Sequence, residues 1–196
     1  MSVATDEPVL TPAARRILDA ASDLYYSRGI TSVGMDLVAE EAGTTKKTIY
    51  DRFGSKDGLV VAYLEARARR WQAHVTEHLA GVDGGAPDRA VAVLDALESW
   101  LEAAERGCGF VNAYAELSTR SERAIVVVRA EKQWMRDLYG RVLAEAGVED
   151  DGSLARQLAL VHEGAIIEST AGGSAYALDD ARRLMRRVLG SGVSGA

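Results

Sequence analysis

Apolar residues along this chain recur at the three- and four-residue spacing of amphipathic helices. The first stretch of this kind carries Ile17, Leu18, Ala21, Leu24 and Tyr25. The sequence contains no runs of alternating apolar and polar residues, which half-buried strands require. The one β-branched island, residues 125–128, is flanked on both sides by helical patterning. The pattern therefore predicts an all-α fold.

Capping and turn residues divide this pattern into about nine helices. Thr11 followed by Pro12 is typical of a helix start, and Gly29 is typical of a helix end. Glycine-rich or polar breaks separate the later segments. The predicted helices are 12–28, 35–42, 45–53, 55–79 with its cap, 88–105, 109–118, 122–146, 153–171 and 177–189.

The helices fall into two predicted domains. Loops of a few residues favour antiparallel neighbours, so residues 59–190 are expected to form an antiparallel helical bundle. The three short helices within 11–58 form a separate N-terminal domain, with a helix-turn-helix motif at 34–53. The end segments 1–10 and 191–196 are predicted to be disordered tails.

The helix-turn-helix motif is the part of the chain that says most about function. Two short helical patterns flank the turn at 43–45, and three of the four lysines in the chain, Lys46, Lys47 and Lys56, follow within eleven residues. A DNA-reading motif of this kind places a glycine in the turn and a short helix after it, which enters the major groove. The segment therefore predicts binding to double-stranded DNA.

The charge distribution favours a specific reader over a protein that coats nucleic acid. The net charge of the 196-residue chain is −6, which argues against indiscriminate adhesion to DNA. Residues 11–58 hold seven basic and seven acidic side chains, so the rest of the chain carries the whole negative excess. A DNA-binding region of neutral net charge, joined to an acidic body, fits specific binding better than histone-like coating.

Four segments of the N-terminal region carry a resemblance to one known family. They are Ala14–Ala21, Met35–Gly43, Thr45–Phe53 and Ser55–Leu59, and they follow one another in the family's spacing. Residues 13–64 thus resemble the N-terminal domain of the TetR family of bacterial transcriptional regulators. Asp51 and Arg52 depart from the aromatic or histidine residues common there in the family. An acid near phosphates is unfavourable unless a neighbour neutralises it.

Six residues around the third helix are predicted to contact DNA. The start of a recognition helix favours phosphate, because its free amides and positive dipole end face outward. Long cations reach phosphates or guanine acceptors, a short hydroxyl residue lies against a base edge, and a tyrosine hydroxyl reaches the backbone. The predicted contacts are Thr45, Lys46, Lys47, Thr48, Tyr50 and Lys56. The alternatives are that Thr45 only caps the helix, Tyr50 only packs, and the lysines only form a solvated face.

The resemblance implies a homodimer on a palindromic operator, with the last two long helices of each subunit forming a four-helix interface. Paired recognition helices should then lie roughly 34–36 Å apart. The residues predicted for this interface are Leu158, Ala165, Gly172, Leu184, Met185 and Val188. The alternative is that these apolar stripes are buried only within their own subunit.

The resemblance also implies a small-molecule effector, bound in a pocket between the fourth and eighth helices. The sequence offers aromatic residues and a few polar groups there, as ligand pockets commonly do. The candidates are Trp71, His74, Trp100, Phe110, Asn112, Tyr114, Glu116, Trp134, His162, Glu163 and Ile166. Plain core packing is the alternative for each of them.

Other classes of protein are weakly supported. A single cysteine, Cys108, excludes an intrachain disulfide and a four-cysteine zinc site. His74 and His78 lie one turn apart but have no third metal ligand nearby, and nothing in the sequence marks Cys108 as a redox sensor. We therefore expect no metal and no cofactor. With no signal peptide and no apolar run of membrane length, a cytoplasmic protein is expected.

The sequence as a whole predicts a repressor that a small-molecule effector releases from its operator. A DNA-binding protein without an effector, constitutive or architectural, is the second hypothesis. An all-α enzyme is the third, but the sequence shows no nucleophile–base pair, carboxylate dyad or metal spacing that would support it. We therefore expect no enzymatic activity.

Overall fold

The computed structural model describes residues 10–102, 106–150 and 152–191, and all regular secondary structure in these ranges is helical. The helices are α1 (Pro12–Arg28), α2 (Met35–Glu41), α3 (Lys46–Phe53), α4 (Lys56–Ala80), α5 (Ala86–Glu102), α6 (Gly109–Leu117), α7 (Glu122–Glu145), α8 (Ser153–Ser169) and α9 (Ala177–Ser191). The all-α prediction is confirmed. Apart from Leu10 and Ser191, the predicted tails lie outside the described residues.

Hydroxyl side chains cap the helices where the sequence predicts a start. The Thr11 hydroxyl accepts a hydrogen bond from the Ala14 amide at the start of α1, and Gly29 ends that helix with a φ of 90°. Ser55 and Ser121 cap α4 and α7 in the same way. Each hydroxyl satisfies an amide that the first turn leaves without a partner.

Two segments differ from the sequence-based expectation. Helix α5 begins at Ala86, two residues early, because Pro87 fits the first turn, where its missing N–H is not needed. The predicted end of this helix at 105 lies outside the described residues. The β-branched residues 125–128 lie within α7, so helical context overrides their strand preference.

The first hydrophobic core joins the N-terminal helices to part of the bundle. Ile17, Val38 and Ile49 from the first three helices share it with Tyr63 of α4 and Phe110 of α6. The beginning of α7 contributes as well. The predicted domain boundary after residue 58 therefore falls inside a continuous core.

The second core lies in the bundle. Trp71 of α4 and Leu94 of α5 pack there with Tyr139 of α7, Leu158 of α8 and Met185 of α9. Helix α4 contributes its first half to one core and its second half to the other. It is therefore the structural connection between the two cores. Within the described ranges, no helix is both long enough and apolar enough to cross a membrane.

Candidate DNA-reading helix and effector cavity

A tight turn between α2 and α3 orients the candidate reading helix. The Thr44 amide donates to the Ala39 carbonyl at 2.9 Å, and Gly43 has a φ of 58°. A left-handed residue reverses the chain direction here, and glycine adopts that conformation without steric cost. This geometry sets α3 at an angle across α2, as in a helix-turn-helix motif.

Helix α3 buries one face and exposes the other. Ile49 is fully buried and Phe53 is half-buried against the first core. The Thr45 hydroxyl accepts a hydrogen bond from the Thr48 amide at 3.2 Å and lies 3.0 Å from the Thr48 hydroxyl. Tyr50 remains 45% exposed. The helix start and its outer face are thus presented to solvent.

Both lysines of α3 are paired with carboxylates on the surface. The Lys46 ammonium lies 2.9 Å from Asp36 of α2, and the Lys47 ammonium lies 2.8 Å from Asp51, one turn along α3. The hydrogen bond and charge of each carboxylate raise the pKa of its lysine. Asp51 is therefore neutralised by Lys47 rather than by Arg52.

Lys56 lies at the first position of α4 and is half-buried. Burial lowers its pKa, and the charge of Glu116 partly offsets that effect. The start of α4 also approaches the end of α3 very closely, because a Cβ atom at Gly58 would lie only 2.0 Å from the Phe53 carbonyl oxygen. The predicted DNA-contacting residues thus lie on two helices held together by this contact.

Glu116 connects α6 of the bundle to the loop that precedes α2. Its carboxylate accepts hydrogen bonds from the Ile30 amide at 3.1 Å, the Thr31 amide at 2.7 Å and the Thr31 hydroxyl at 2.8 Å. Burial alone would raise the pKa of Glu116, but these bonds and the charge of Arg106 lower it overall. Glu116 therefore lies at the junction of α6 with the N-terminal helices.

A second junction joins the end of α1 to the segment before α6. The Tyr26 hydroxyl donates to the Gly107 carbonyl and accepts from the Arg106 amide, each at 3.1 Å. The Arg106 guanidinium returns a hydrogen bond to the Tyr26 carbonyl at 2.9 Å. These contacts place the C-terminal end of α1 directly beside the entrance to α6.

A cavity lies in the bundle immediately beyond this junction. Its empty volume, with the open mouth included, is about 400 Å³, and the deep part is narrow. The lining residues are Arg67, Trp71, Leu97, Trp100, Leu101, Gly107, Cys108, Gly109, Phe110, Glu131, Lys132, His162 and Ile166. Five of these, Trp71, Trp100, Phe110, His162 and Ile166, are among the residues predicted for a pocket.

The other predicted pocket residues lie elsewhere. His74 stands behind the Trp71 and Trp100 rings, with its Nε2 3.0 Å from both the Ala96 carbonyl and the Ser99 hydroxyl. The Asn112 side chain donates to the Arg106 carbonyl, and the Tyr114 ring is exposed on α6. Trp134 lies beside Arg141 in an outer groove, and Glu163 forms an ion pair with Lys132. These residues and Glu116 thus lie outside the lining of this cavity. Helical periodicity could not predict this, because it does not distinguish adjacent faces of a bundle helix.

An ionic cluster closes one side of the cavity. The Lys132 ammonium lies 2.8 Å from Glu163, 3.3 Å from Glu131 and 3.5 Å from the Cys108 sulfur. Burial lowers the pKa of Lys132, but the charges of Cys108 and the two carboxylates raise it by more. Burial raises the pKa of Glu131. Among the described residues, no group of three or more potential ligands is placed to hold a metal.

His162 is buried in the wall of the cavity. Its Nδ1 lies 3.2 Å from the Tyr139 hydroxyl. Burial, together with the charge of Lys132, lowers the pKa of His162 to about 3. The ring is therefore neutral at physiological pH and contributes a polar but uncharged surface.

Three charged residues of the cavity, Arg67, Glu131 and Lys132, were not predicted from the sequence. Arg67 and Glu131 are both buried. Each falls on the apolar stripe of its helix, with Arg67 one turn after Tyr63 and one turn before Trp71. A charged residue on a buried stripe is the sequence signal that would have identified them.

The predicted dimer residues divide between the core and the surface. Leu158, Ala165 and Met185 are buried in the core of their own subunit. Leu184 is 46% exposed, Val188 is partly buried and Gly172 is exposed. The outer face of α8 instead presents Leu160 at 72% exposure and Ile167 at 43%, with Gly164 open between them.

Comparison with known proteins identifies the family. The sequence model described as "Bacterial regulatory proteins, tetR family" matches residues 17–63. An uncharacterised HTH-type transcriptional regulator of Mycobacterium tuberculosis is 39% identical over 70 residues, which are 36% of this chain and 35% of that protein. The chain thus matches about a third of the length of that curated relative.

Two solved structures share the fold over nearly the whole chain. The crystal structure of a TetR transcriptional regulator from Legionella pneumophila has a TM-score of 0.76 at 17% identity, covering 92% of this chain and 98% of that one. That of a TetR-family transcriptional regulator from Streptomyces coelicolor has a TM-score of 0.81 at 30% identity, covering 91% and 95%. This chain therefore belongs to the TetR family of transcriptional regulators, which are DNA-binding proteins rather than enzymes.

Proposed function

We propose that this chain is a homodimeric repressor that binds a palindromic operator and leaves it when a small molecule occupies the cavity. The observation that carries the proposal is the outer face of α3. There the capped helix start, the ammonium groups of Lys46 and Lys47 and the exposed ring of Tyr50 form one surface. Such a surface supplies the phosphate and base-edge donors that major-groove binding requires.

Pairing of the lysines with Asp36 and Asp51 is compatible with DNA binding. Ion pairs between exposed side chains contribute little to stability, so phosphate competes with these carboxylates at small cost. The same carboxylates weaken attraction to arbitrary DNA, because they offset the positive charge until a groove supplies specific contacts. The pairing therefore favours sequence-dependent over indiscriminate binding.

Two copies of the reader are needed for a palindromic operator. The exposed apolar face of α8, with Leu160 and Ile167, and Leu184 of α9 supply a surface that a second subunit would cover. Apolar residues exposed along one helix face commonly mark an interface. We infer that this face, rather than the buried Leu158, Ala165 and Met185, forms the dimer contact.

Release by an effector is supported by the position of the cavity. Gly107 lines the cavity, and its carbonyl accepts a hydrogen bond from the Tyr26 hydroxyl, so the cavity wall directly contacts the end of α1. A molecule that displaces this wall changes how the reading helices are held. To move the population from 1:99 to 99:1, it must prefer the released form by about 5.5 kcal/mol.

Selection of bound sequences from random duplex DNA tests the proposal. Lys46→Ala should weaken binding to the selected site by about 1–3 kcal/mol if the lysine contacts a base, and should reduce the salt dependence. Tyr50→Phe should cost less, because the ring remains. Arg129→Ala, which removes an exposed positive charge from α7, away from the proposed interface, is the matched control and should bind normally. Unchanged affinity of the Lys46 variant at physiological salt would contradict the role assigned to α3.

A further inference from the structure

The guanidinium of Arg67 is buried without an ionic partner. Arg67 is 8% exposed, and within the described part of the chain its guanidinium makes no hydrogen bond and no ion pair. It is stacked only against two rings, 4.3 Å from the centre of Tyr26 and 5.6 Å from that of Trp100. A buried charge is costly unless hydrogen-bonded groups compensate it. The donors of Arg67, which line the cavity, are available to a ligand.

The helix that begins beside Arg67 adds further donors. Helix α6 starts at Gly109 and has no side-chain cap, and Cys108, Gly109 and Phe110 all line the cavity. First-turn amides without partners and the positive end of the helix dipole favour an anion. Two independent features, an unpaired guanidinium and an uncapped helix start, therefore converge on one space.

Gly109 is the residue that allows this arrangement. A Cβ atom there would lie 2.6 Å from Nε of Arg67. The absence of a side chain lets the guanidinium lie directly against the start of α6. A larger residue at position 109 would therefore displace the Arg67 side chain.

The other charges of the cluster are already paired with one another. The Lys132 ammonium lies within ion-pair distance of Glu163 and Glu131, although Oε2 of Glu131 makes no hydrogen bond. Among the described residues, no carboxylate makes an ion pair with Arg67, but the positive charge of Arg67 partly offsets the rise that burial causes in the pKa of Glu131. The raised pKa of Glu131, caused by burial, lessens the repulsion that its carboxylate would offer to an anion. Within the described part of the chain, Arg67 is thus the cation of this cavity that makes no direct ion pair.

The remaining walls are apolar and aromatic. Trp71 and Trp100 meet edge to face with ring centres 5.5 Å apart, and Phe110, Leu97 and Ile166 complete the surface. His162 is neutral there. An anion bound at Arg67 would thus have its hydrocarbon part against rings and aliphatic side chains.

We propose that this cavity binds a small organic carboxylate. Its two oxygens meet the guanidinium of Arg67 and the first amides of α6, and its apolar part lies against the Trp71 and Trp100 rings. An arginine fork matches a carboxylate with two parallel hydrogen bonds. Because the deep part of the cavity is narrow, the apolar part is no larger than one aromatic ring, and the half-buried Trp100 moves aside to admit it.

This inference rests on the proposed function only for its consequence. The Arg67 guanidinium lies over the Tyr26 ring, and the Tyr26 hydroxyl donates a hydrogen bond to the Gly107 carbonyl. A carboxylate that draws the guanidinium away from that ring alters the contact between the cavity wall and the end of α1. Binding of the carboxylate is itself independent of whether DNA is released.

Tryptophan fluorescence of the full chain without DNA tests the binding site. The chain has three tryptophans, and Trp134→Phe removes the one outside the cavity, leaving Trp71 and Trp100 as reporters. Benzoate should change the emission saturably. Benzamide has the same shape without the charge, and benzylamine has the opposite charge. Both should bind with an affinity at least about tenfold lower than that of benzoate. Equal binding of benzoate and benzamide would overturn the proposal, as would the absence of any response to benzoate.

Variants of Arg67 separate the guanidinium from the apolar walls. Arg67→Met, of similar length, should weaken benzoate binding about tenfold or more while leaving benzamide unchanged, and Arg67→Lys should retain part of the affinity. Unaltered benzoate affinity in Arg67→Met would overturn the assignment. If that variant does not fold, Arg67→Lys and the comparison of benzoate with benzamide in the Trp134→Phe protein still decide it.

Release from DNA is measured separately with the selected operator. If benzoate binds with the stated selectivity but leaves the operator complex intact, the carboxylate site is supported and its role in release is refuted. If the chain ignores all duplex DNA, the proposed function fails while the fluorescence result still decides the site.

Discussion

At the scale of single residues, the burial of His162 links the stability of the protein to pH. Its pKa is lowered from 6.5 to about 3 in the folded protein by burial and by Lys132. Above pH 6.5 the ring is neutral in both the folded and the unfolded chain. Below that pH the unfolded chain takes up a proton that the folded protein excludes, so folding becomes less favourable as pH falls towards 3.

We expect His162→Gln to reduce this acid sensitivity. The variant should lose stability more slowly than the wild type between pH 6.5 and 4, by up to about 1.4 kcal/mol for each pH unit. Urea unfolding at a series of pH values measures the difference. His78→Gln, on the exposed face of α4, provides the control and should follow the wild type. Parallel pH profiles for all three proteins would refute the assigned role of burial.

The residues of α3 were predictable from the sequence, whereas Arg67 was not. Helical period and the glycine turn determine which side of α3 faces outward, so Lys46, Lys47 and Tyr50 could be identified in advance. Arg67 acquires its environment from Tyr26, Trp100 and Gly109, which are distant in sequence. Pairing of Asp51 with Lys47 depends on rotamers that residue spacing permits but does not decide.

At the scale of elements, the contact between α6 and the loop before α2 is governed by one carboxylate. Glu116 binds the backbone of Ile30 and Thr31. Its lowered pKa means that its contribution to stability is present above the ordinary value of 4.5 and is lost as pH falls through the folded value. Because Glu116 is only partly buried, solvent screening keeps that contribution small.

Glu116→Gln should loosen this junction without unfolding the protein. Amide hydrogen exchange at Ile30 and Thr31 should accelerate several-fold at neutral pH, because a neutral amide accepts weaker hydrogen bonds than a carboxylate. Glu77→Gln, an exposed carboxylate on α4, is the matched variant and should leave both amides protected. Equal exchange rates in the wild type and the Glu116 variant would show that the carboxylate does not hold the loop.

The limits of the helices followed from local signals, whereas the division of the cores did not. Thr11, Thr45 and Ser55 act on amides three residues away, so capping could be predicted directly. The sharing of one core by α1, α4, α6 and α7 depends on contacts between distant segments. For that reason a boundary placed after residue 58 on composition and turns alone crosses continuous packing.

At the scale of the whole molecule, we expect the exposed face of α8 to determine whether two chains associate. Leu160 is 72% exposed in the single chain, so its replacement should not disturb the subunit's own core. Leu160→Glu places a charge where the proposed interface excludes water, which should weaken dimerisation about 100-fold or more. Sedimentation over a range of concentrations measures this change.

Val126→Glu controls for the effect of an added surface charge. Val126 is 59% exposed on α7 and lies outside the proposed interface. This variant should dimerise as the wild type does, and circular dichroism should show native helix content in both variants. A wild-type chain that stays monomeric, or a Leu160 variant that stays fully dimeric, would contradict the proposed interface.

The stripes on α8 and α9 illustrate why an interface is hard to predict from one sequence. Each helix has apolar residues in its own core and others exposed on its outer face, where we propose that a second subunit binds. Leu158 and Met185 have the regular spacing that core packing requires, so periodicity selects them first. Leu160 and Ile167 become distinct only when the first face is seen to be covered.

The absence of a side chain at Gly58 has a mechanical consequence. With the backbone of Phe53 where its Cβ would be, α3 and α4 have no room to slide past each other. A tilt of α4 should therefore move α3 with it. A displacement of less than an ångström in the part of α4 that lies in the bundle should become larger, rather than smaller, at the exposed start of α3.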